Sequence, residues 1–504
     1  MKRSELIFLL LSLLISSIGI VSLLKPEFFL TDDGNSMVIR FSAFYETLRS
    51  GQFPVRFLSR LNFGYGYPVS DFLYPLFMYI GIPIKALGFS FVDTIKIILG
   101  LSFLSGTFFS FLWLRKLFDE KSAFAGSIVY SLFPYHLFDI YKRGSVGEIL
   151  ALGIVPFIFW AIEKKNLILI SIGYALLITA HNSLALVFIP VILIYHLLKE
   201  KAQKSFYSIL LGIGLSAFFS LPAIFDLQYT VFSKTSVSDW SKYFVGFNLI
   251  GVSTVVIFLT VFIFIWIKKI ELKKHRLTLL MIGIGLISIF FASSPSSFIW
   301  NVLPVSFIQF PFRFLSLTII TTAFLAASVV SVLKGKEKQL SIILLLILIF
   351  LSSKNFLAPS IFQNYPDTFY STNQDTTTVR NEYMPKWVKD YPTEMPKSKV
   401  EPASSISYIS GNNNNMSFKV SSNKSIIVEV EKVYFPGWKA SVDGKKTEII
   451  NNNPKGLIQI PINSGDHIVH VYFEEGGLRL LSDFVSVISL VALLVILIRN
   501  VKTY

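Results

Sequence analysis

Long apolar runs, each about as long as a helix that crosses a lipid bilayer, recur along most of this chain and are separated by short basic loops. A membrane-spanning helix needs about 20 residues. Hydrophobic residues make up 53% of the 504-residue sequence and charged residues only 15%, whereas a soluble chain carries about 25% charged residues. The pattern therefore predicts an all-α polytopic membrane bundle and argues against a soluble globular protein.

About twelve segments are long enough to cross, once tilt and snorkelling flanks are allowed for. The first has no small-x-small cleavage site before Lys25, which favours an uncleaved helix over a signal peptide. The predicted helices lie near residues 6–24, 94–114, 122–138, 149–163, 166–181, 183–198, 205–224, 247–268, 277–292, 312–333, 340–356 and 480–498.

One further apolar segment, residues 72–88, contains two prolines, and its status decides the topology. If it does not cross, the later loops place eighteen basic residues in the cytoplasm and only four outside. That bias agrees with Lys2 and Arg3 at the N-terminus and with the positive-inside rule. The inward set is Arg115, Lys116, Lys121, Lys164, Lys165, Lys199, Lys201, Lys204, Lys268, Lys269, Lys273, Lys274, Arg276, Lys334, Lys336, Lys338, Arg499 and Lys502, and the outward set is Lys142, Arg143, Lys234 and Lys242.

This topology predicts a multi-pass protein of the plasma membrane with both termini in the cytoplasm and with residues 72–88 re-entrant or interfacial. The net charge of +15 is then a property of the loops, so no nucleic-acid partner is predicted. The chain has no cysteine, which excludes disulfides and thiolate metal sites. The sequence specifies no cofactor and leaves the use of a divalent cation open.

The predicted topology divides the chain into four parts. Residues 1–356 form the transmembrane bundle, in which residues 25–93 are a large outward loop. Residues 357–403 are polar and rich in Pro and Thr, which indicates an irregular outward linker. Residues 404–478 alternate apolar and polar, which predicts an extracytoplasmic β-sandwich or jelly roll. Residues 479–504 form the last transmembrane helix and a cytoplasmic tail.

Within the β-rich part, the predicted strands read MSFKVSS, SIIVEVEKV, GWKASV, KTEII, GLIQIPI and HIVHVYF. Asp443-Gly444 is a strong signal for a two-residue hairpin turn. Trp438 begins the strand before that turn, and we expect its ring to pack on the sheet. The alternative is that the ring is a platform on which an acceptor sugar stacks.

Charged and aromatic residues gather in the segments predicted to face outward. A carboxylate at the membrane surface can take the proton of an acceptor hydroxyl, arginines can bind a phosphate leaving group, and a groove beside them could hold a lipid tail. Together these parts indicate sugar transfer from a lipid phosphate. The candidates are Asp32 and Asp33 as the base, Arg56, Arg60, Arg143, Glu148 and Arg313 for the donor phosphate or sugar, and Tyr65, Tyr67 and Trp438 for the acceptor.

Several motifs resemble those of the membrane proteins described as 6-pyruvoyl-tetrahydropterin synthase-related and, more loosely, the YfhO-type proteins, both of the GT-C class of glycosyltransferases. They are DDGNSMVIR, SGQFPVRF, NFGYGYPVSDFLYPL, YKRGSVGE, QFPFRFL, NEYMPKW and YFPGWKASVDGKK. The resemblance implies a GT-C-like bundle whose first outward loop carries the catalytic acid, here Asp32 or Asp33. It also implies a polyprenyl-phosphate-linked sugar as donor and an extracytoplasmic acceptor, which could be a glycolipid, a cell-wall polymer or a glycoprotein.

Two other classes of function remain open at this point. A transporter or flippase of lipid-linked saccharides would carry ionisable residues at mid-membrane and often an internal repeat, and the sequence has few of the former and none of the latter. A non-catalytic scaffold would use the β domain to bind glycan and the bundle as an anchor.

The topology can be tested with single cysteines, because the parent chain has none. We expect Asn413→Cys to react with a membrane-impermeant thiol reagent on intact cells and Lys336→Cys to react only after permeabilisation. The unmodified parent is the control. Labelling of position 336 from outside would contradict the predicted topology.

Overall fold

The computed structural model describes residues 2–232, 239–270, 276–302, 308–412 and 414–502. Lys234, Lys273, Lys274 and the labelling position Asn413 lie outside these ranges. Ten helices occupy the first part of the described chain: α1 Arg3–Ser16, α2 Gly34–Arg49, α3 Val69–Phe72, α4 Leu76–Ala86, α5 Phe91–Leu117, α6 Glu120–Ser131, α7 Pro134–Phe138, α8 Val146–Glu163, α9 Leu167–Ala180 and α10 Asn182–Lys199.

The helices of the remaining described residues include three sharply bent pairs. The bends are 71° between α11 and α12, 68° before α14 and 81° after α15. These helices are α11 Ala202–Leu215, α12 Ala217–Asp226, α13 Phe247–Ile250, α14 Val252–Trp266, α15 Arg276–Ala292, α16 Ser297–Val302, α17 Leu315–Ser331, α18 Gly335–Ser353, α19 Asp367–Thr372 and α20 Gly477–Lys502.

Each of the twelve segments predicted to cross the membrane contains helix, but fewer are long enough to span it. By length and composition, seven helices of the described chain could cross, or up to ten if each bent pair is one span. The difference arises partly because α9 has only 14 residues and α6 only 12. α4 is also short, and its 11 residues rise about 16 Å, half the thickness of the hydrocarbon core.

The centre of the bundle is formed by the helix pairs α5 with α8 and α6 with α17. Two glycines allow these pairs to approach closely: a Cβ on Gly153 would lie 2.6 Å from the Ser102 carbonyl oxygen, and one on Gly126 would lie 2.7 Å from that of Ala323. Small residues serve this purpose in membrane helices. α18 and α20 expose most of their apolar side chains, as helices that face lipid do.

Residues 25–93, predicted to be a loop, contain the helices α2, α3 and α4, which the sequence prediction did not include. α2 buries Met37, Val38, Phe41 and Phe44, a spacing of three and four residues that places them on one face. Ahead of it, strand β1 Phe28–Phe29 pairs antiparallel with β2 Phe362–Gln363. The outward linker is therefore joined to the first loop.

The linker 357–403 is irregular but closely held. Arg60 donates hydrogen bonds to the carbonyl of Asn373 at 3.1 Å and to the carboxylate of Glu46 on α2 at 3.0 Å. The linker contains β2, α19 and strand β3 Val400–Glu401. Its contacts hold it against residues 25–93 of the bundle.

The C-terminal β domain is an antiparallel sandwich of a five-stranded sheet, ordered β4-β5-β10-β7-β8, and a three-stranded sheet, ordered β3-β6-β9. Phe418 and Val471 from the first sheet and Val428 and Ile460 from the second share one buried core. The remaining strands are β4 Ile406–Asn412, β5 Asn415–Ser422, β6 Ile426–Val433, β7 Trp438–Val442, β8 Lys445–Thr447, β9 Leu457–Ile462 and β10 Gly465–Phe473.

The predicted hairpin turn is confirmed. Val442 pairs with Lys445, so the loop has two residues, and both Asp443 and Gly444 have positive φ values, 50° and 78°. This is the backbone of a type I′ turn, which fits the twist of the flanking strands.

Two buried arginines connect the β domain to the bundle. Arg479, in the first turns of α20, donates to Asp226 of α12 at 2.8 Å, to Asp71 at 3.1 Å and to the Pro436 carbonyl at 2.9 Å. Arg56 also contacts Asp71, at 3.5 Å. We call this ion-pair group the docking network. It also includes the carboxylates of Glu475 and Asp483, which lie 3.0 and 3.6 Å from the guanidinium of Arg56.

Trp438 provides a test of the packing at this interface. Its side chain is 2% exposed and makes edge contacts with Phe57 and Phe473 at centroid distances of 5.5 and 5.6 Å. We expect Trp438→Ala to cost about 3–5 kcal/mol of stability, measured as a lower melting temperature of the full chain in detergent. Ile427→Ala, on the exposed side of β6, is the control, and equal melting temperatures for the two variants would contradict the packing role.

Candidate active site on the outward face

Two loop segments that are distant in sequence meet where α2 begins. The amide of Asp33 donates to the carbonyl of Arg143 at 2.8 Å. Gly144, with φ of 65°, follows directly, and a Cβ there would lie 2.9 Å from the Cα of Gly34. The two glycines therefore permit a backbone approach that any side chain would block.

Glu148 is the centre of the site and has no solvent exposure. Its Oε1 accepts hydrogen bonds from Arg143 Nη1 and from Arg313 Nε, each at 2.9 Å. Its Oε2 accepts from the Tyr135 hydroxyl at 3.1 Å. Glu148 lies in the first turn of α8, where the helix dipole favours a carboxylate. Both oxygens are thus partnered, as a buried charge requires.

His181 completes the surroundings of Glu148 and caps α10. Its Nδ1 accepts the Leu184 amide at 3.2 Å, so Nε2 carries the ring proton. That nitrogen lies 3.7 Å from Glu148 Oε1. The ring of Tyr74 packs against the imidazole at 4.6 Å. The sequence offered only a histidine at a helix end, and its position beside Glu148 depends on the packing of α8 against α10.

Arg143 joins buried Glu148 to the solvent-exposed carboxylate of Asp33. Its Nη2 lies 3.2 Å from Asp33 Oδ2, and the arginine side chain is 4% exposed whereas that of Asp33 is 41% exposed. Burial lowers the pKa of Arg143, but neighbouring carboxylates, Glu148 first among them, raise it well above its ordinary value. Arg143 therefore remains a cation beneath a carboxylate that is open to solvent.

Asp32 and Asp33, which the sequence left as equal candidates, differ in their surroundings. Asp32 is 55% exposed and lies 3.7 Å from the exposed ammonium group of Lys142. Asp33 belongs to the buried Arg143–Glu148–Arg313 arrangement through Arg143. Asp32 thus forms only a surface ion pair, whereas Asp33 is anchored to the buried groups of the site.

The two arginines lie against aromatic rings of the segment that leads into α17. The guanidinium of Arg143 lies 4.7 Å from the centroid of Phe312, and that of Arg313 lies 5.0 Å from Phe310. Arg313 Nη1 also donates to the Ile308 carbonyl at 2.7 Å. Such cation–π contacts strengthen when water is excluded, and they hold both cations in place.

Asp139 is a second fully buried carboxyl near Glu148. It lies 4.0 Å from Arg143. Burial, followed by the charge of Glu148, raises the pKa of Asp139 well above its ordinary value. Asp139 is therefore held neutral beside the charged Glu148.

Two further charged residues, Arg40 and Glu382, are not among the site candidates predicted from the sequence. Arg40 on α2 is 8% exposed and donates from Nε to Thr377 Oγ1 at 2.9 Å. Glu382 is partly buried, and Arg40, Asp33 and Arg313 all act on its charge. The motifs DDGNSMVIR and NEYMPKW contain these residues, but the sequence gives no sign that they meet.

Arg56 and Arg60, predicted to bind the donor, lie elsewhere and require correction. Arg56 is 2% exposed, and Asp71, Glu475 and Asp483 surround it in the docking network. Arg60 holds the linker to α2. Neither arginine contacts Glu148 or Asp33, so the geometry does not place them with Arg143 and Arg313.

The three residues predicted to contact an acceptor are also packed inside the protein. The Tyr67 hydroxyl contacts Thr378 Oγ1 at 2.6 Å and accepts the Tyr383 amide at 2.9 Å. Tyr65 is 3% exposed, with Lys455 5.3 Å from its ring centroid. Like Trp438, they support the outward segments and present no open ring face to a sugar.

The sequence left open whether the protein uses a divalent cation. Within the ranges that the structure describes, no group of three or more His, Cys, Asp or Glu side chains is arranged to hold one.

Residues 71–358 match the family model described as the 6-pyruvoyl-tetrahydropterin synthase-related domain of membrane proteins. This is more than half of the chain, which therefore belongs to that family, and the resemblance found in the sequence is confirmed. An uncharacterized protein of Lactococcus lactis subsp. cremoris strain MG1363 is 25% identical over 273 residues, which cover 50% of this chain and 44% of that protein. The chain thus spans less than half the length of this relative.

Two solved structures show a more distant likeness. The arabinofuranosyltransferase AftD from Mycobacteria aligns with a TM-score of 0.44 and 14% identity over 73% of this chain and 28% of its own. The Archaeoglobus fulgidus oligosaccharyltransferase in its apo form aligns with a TM-score of 0.42 and 11% identity over 76% of this chain and 62% of its own. At these values the likeness assigns no activity to this chain.

The dependence of the site on Glu148 can be measured. Glu148→Gln removes the charge shared by Arg143 and Arg313, and breaking a buried ion pair costs about 3–5 kcal/mol. We expect a correspondingly lower melting temperature in detergent. Glu46→Gln is the matched control, because Glu46 is 50% exposed in its pair with Arg60 and such pairs are worth about 0–1 kcal/mol. Equal effects of the two changes would show that Glu148 does not organise the site.

Proposed function

We propose that this protein is a membrane glycosyltransferase that moves a sugar from a polyprenyl-phosphate donor to an extracytoplasmic acceptor hydroxyl. The observation that carries the proposal is the solvent-open carboxylate of Asp33, anchored at 3.2 Å to buried Arg143 and through it to Glu148 and Arg313. A proton acceptor thus lies beside fixed cations, which is the combination that transfer from a phosphate needs.

The reaction assigned to the site is a displacement at the anomeric carbon. The acceptor oxygen forms a bond to that carbon as the bond from the carbon to the phosphate oxygen breaks. The acceptor proton passes to the carboxylate of Asp33, and the electron pair of the broken bond leaves with the polyprenyl phosphate. The guanidinium groups of Arg143 and Arg313 stabilise the negative charge that develops on the phosphate.

An apolar groove beside the site suits the lipid tail. It encloses about 260 Å³, and it begins at Pro75, the residue after Tyr74, and reaches Thr179, two residues before His181. A tail in this groove would bring its phosphate toward the charged groups around Tyr74. The other lining residues are Leu76, Tyr79, Ile172, Ala175, Leu176, Leu215 and Phe218.

The proposal is tested with purified protein in detergent and a radiolabelled polyprenyl-phosphate sugar. Asp33→Asn keeps the size of the side chain but removes its basicity, and general-base catalysis is worth about 10²–10⁴-fold. We therefore expect transfer to fall about a hundredfold or more, with the melting temperature and donor binding retained.

Asp32→Asn is the matched control, because it makes the same chemical change at the adjacent residue. Asp32 takes part only in a surface pair, so its loss should change the rate by no more than about fivefold, the equivalent of 1 kcal/mol. Full transfer by Asp33→Asn would refute the base assigned here. Absence of transfer by the unmodified protein with every polyprenyl-phosphate sugar tried would refute the donor class.

A further inference from the structure

A second apolar groove lies between the middle of α14, the end of α17 and most of α18. It encloses about 410 Å³ and is lined by apolar side chains from all three helices, including Ile257, Val329 and Leu345. Two charged residues, Lys269 and Glu337, line one end of it. We call it the α14–α18 groove.

The dimensions of the α14–α18 groove suit a hydrocarbon chain. It runs along α18 from Glu337 to Leu348, which is about 16 Å at the rise of an α-helix and about half of the 30 Å hydrocarbon core, so it spans one leaflet. About 410 Å³ over that length gives a channel about 6 Å across, whereas a helix with its side chains is about 10–12 Å wide. Leu340 and Leu344 on its wall are exposed, so the groove is open toward the bilayer. It is therefore too narrow for another helix and long enough for an extended acyl chain.

The α14–α18 groove is at the other end of the bundle from the candidate active site. Arg313 lies just before α17, whereas Val329 lies in the last turn of that helix. The segment Pro311–Ser331 is long enough to cross a membrane, so the two ends of α17 lie near opposite surfaces. The groove therefore opens to the leaflet opposite to Asp33, and it is separate from the groove that begins at Pro75.

The rim of the α14–α18 groove has an excess of positive charge. The ammonium nitrogen of Lys269 lies 4.0 Å from a carboxylate oxygen of Glu337, and the two side chains are 44% and 72% exposed, so this pair is weak. Lys268, Lys334 and Lys336 are also exposed, and each directly adjoins a residue that lines the groove. Within the part of the chain that the structure describes, the rim thus carries four lysines and one glutamate.

Trp266 indicates that this rim lies at the level of the lipid headgroups. It is the last residue of α14 and its side chain is 83% exposed, and an exposed Trp at the end of a membrane helix is typical of the membrane–water interface. Basic pockets between membrane helices at this level attract anionic headgroups. Lysines around the mouth of a narrow apolar groove therefore match the two parts of an anionic phospholipid.

We propose that the α14–α18 groove binds an anionic phospholipid of this leaflet, with one acyl chain in the groove and the headgroup phosphate at Lys269. The phosphate replaces Glu337 as the partner of Lys269. The distance of 4.0 Å between those two side chains is too long for a hydrogen bond, whereas a phosphate oxygen can accept a charge-assisted hydrogen bond from the ammonium group. This inference does not rest on the proposed function.

The test measures binding of dioleoyl phosphatidylglycerol, an anionic phospholipid, to the full chain in detergent by native mass spectrometry. Lys269→Gln removes a cation from the rim and should weaken the affinity about fivefold, the effect of one lysine near an anionic lipid. Glu337→Gln removes the competing anion and should strengthen the affinity about fivefold. Dioleoyl phosphatidylcholine, which has no net charge, should bind more weakly, and neither substitution should change its affinity. Opposite effects of two neighbouring substitutions cannot arise from a general loss of structure.

Lys164→Gln is the matched control. Lys164 is an exposed lysine that lies 5.8 Å from the ring centroid of Trp160, much as Lys269 lies 5.4 Å from that of Phe264. The control variant should bind phosphatidylglycerol as tightly as the unmodified chain does. Equal affinities of the Lys269, Glu337 and Lys164 variants for phosphatidylglycerol would overturn the inference.

Ser341→Phe tests the position of the acyl chain. Ser341 lines the groove and is partly exposed, so the added ring narrows the channel without changing its charge and should weaken binding of both lipids. Unaltered binding of both lipids by this variant would show that no acyl chain lies in the groove. Displacement of phosphatidylglycerol by an equal concentration of inorganic phosphate would indicate a simple anion site, and tighter binding of a polyprenyl phosphate than of phosphatidylglycerol would assign the groove to the donor lipid. Each of these three results would overturn the inference.

Discussion

A fully buried carboxylate needs cations and donors on every side, and Glu148 obtains them from four separate parts of the chain. Arg143 comes from the turn before α8, Arg313 from the turn before α17, Tyr135 from α7 and His181 from the start of α10. Because an unpaired buried charge would be very costly, the ends of these helices must meet around it. Asp33 and the start of α2 are then positioned through Arg143.

The docking network also consists of buried charges that need partners, and it joins the β domain to the bundle. Arg479 and Arg56 are shared among carboxylates of the first loop, α12 and α20, and the aromatic contacts of Phe57, Trp438 and Phe473 exclude water beside them. Ion pairs that are exposed to water contribute little to stability, so these pairs depend on the apolar side chains that cover them. The sandwich is thereby docked against the bundle, and the linker between them remains close to the site.

These two constraints explain why the site combines two rigidly held arginine cations with the solvent-exposed carboxylate of Asp33. Arg143 and Arg313 are held by Glu148 and by the rings of Phe310 and Phe312, so they do not need to reorganise when an anion arrives. An apolar groove begins at Pro75, the residue after Tyr74, whose ring packs on His181. An amphiphilic phosphate would place its charged group against the arginines and its apolar chain in the groove.

Much of the fold follows from local patterns in the sequence. Each of the twelve segments that hydropathy identified contains helix, alternation identified six segments of the sandwich, and Asp443-Gly444 identified a turn that the backbone confirms. These signals are local, since a helix satisfies its own hydrogen bonds in lipid and a strand shows its buried face in every second residue. The helical first loop was missed, although α2 carries its own apolar face, because its polar residues favoured the interpretation as a loop.

The partners of the charged residues were decided only by the tertiary structure. The sequence alone determined that carboxylates, arginines and aromatic rings lie outside the apolar runs, and its candidates included Asp33, Arg143, Glu148 and Arg313, which the structure brings together. It could not show that Arg143 meets Asp33 across 110 residues and that Arg313 meets Glu148 across 165. Nor could it show that Arg56 joins the docking network instead. An arginine pairs with whichever carboxylate the packing brings within a few ångströms, and that distance depends on the arrangement of the whole bundle.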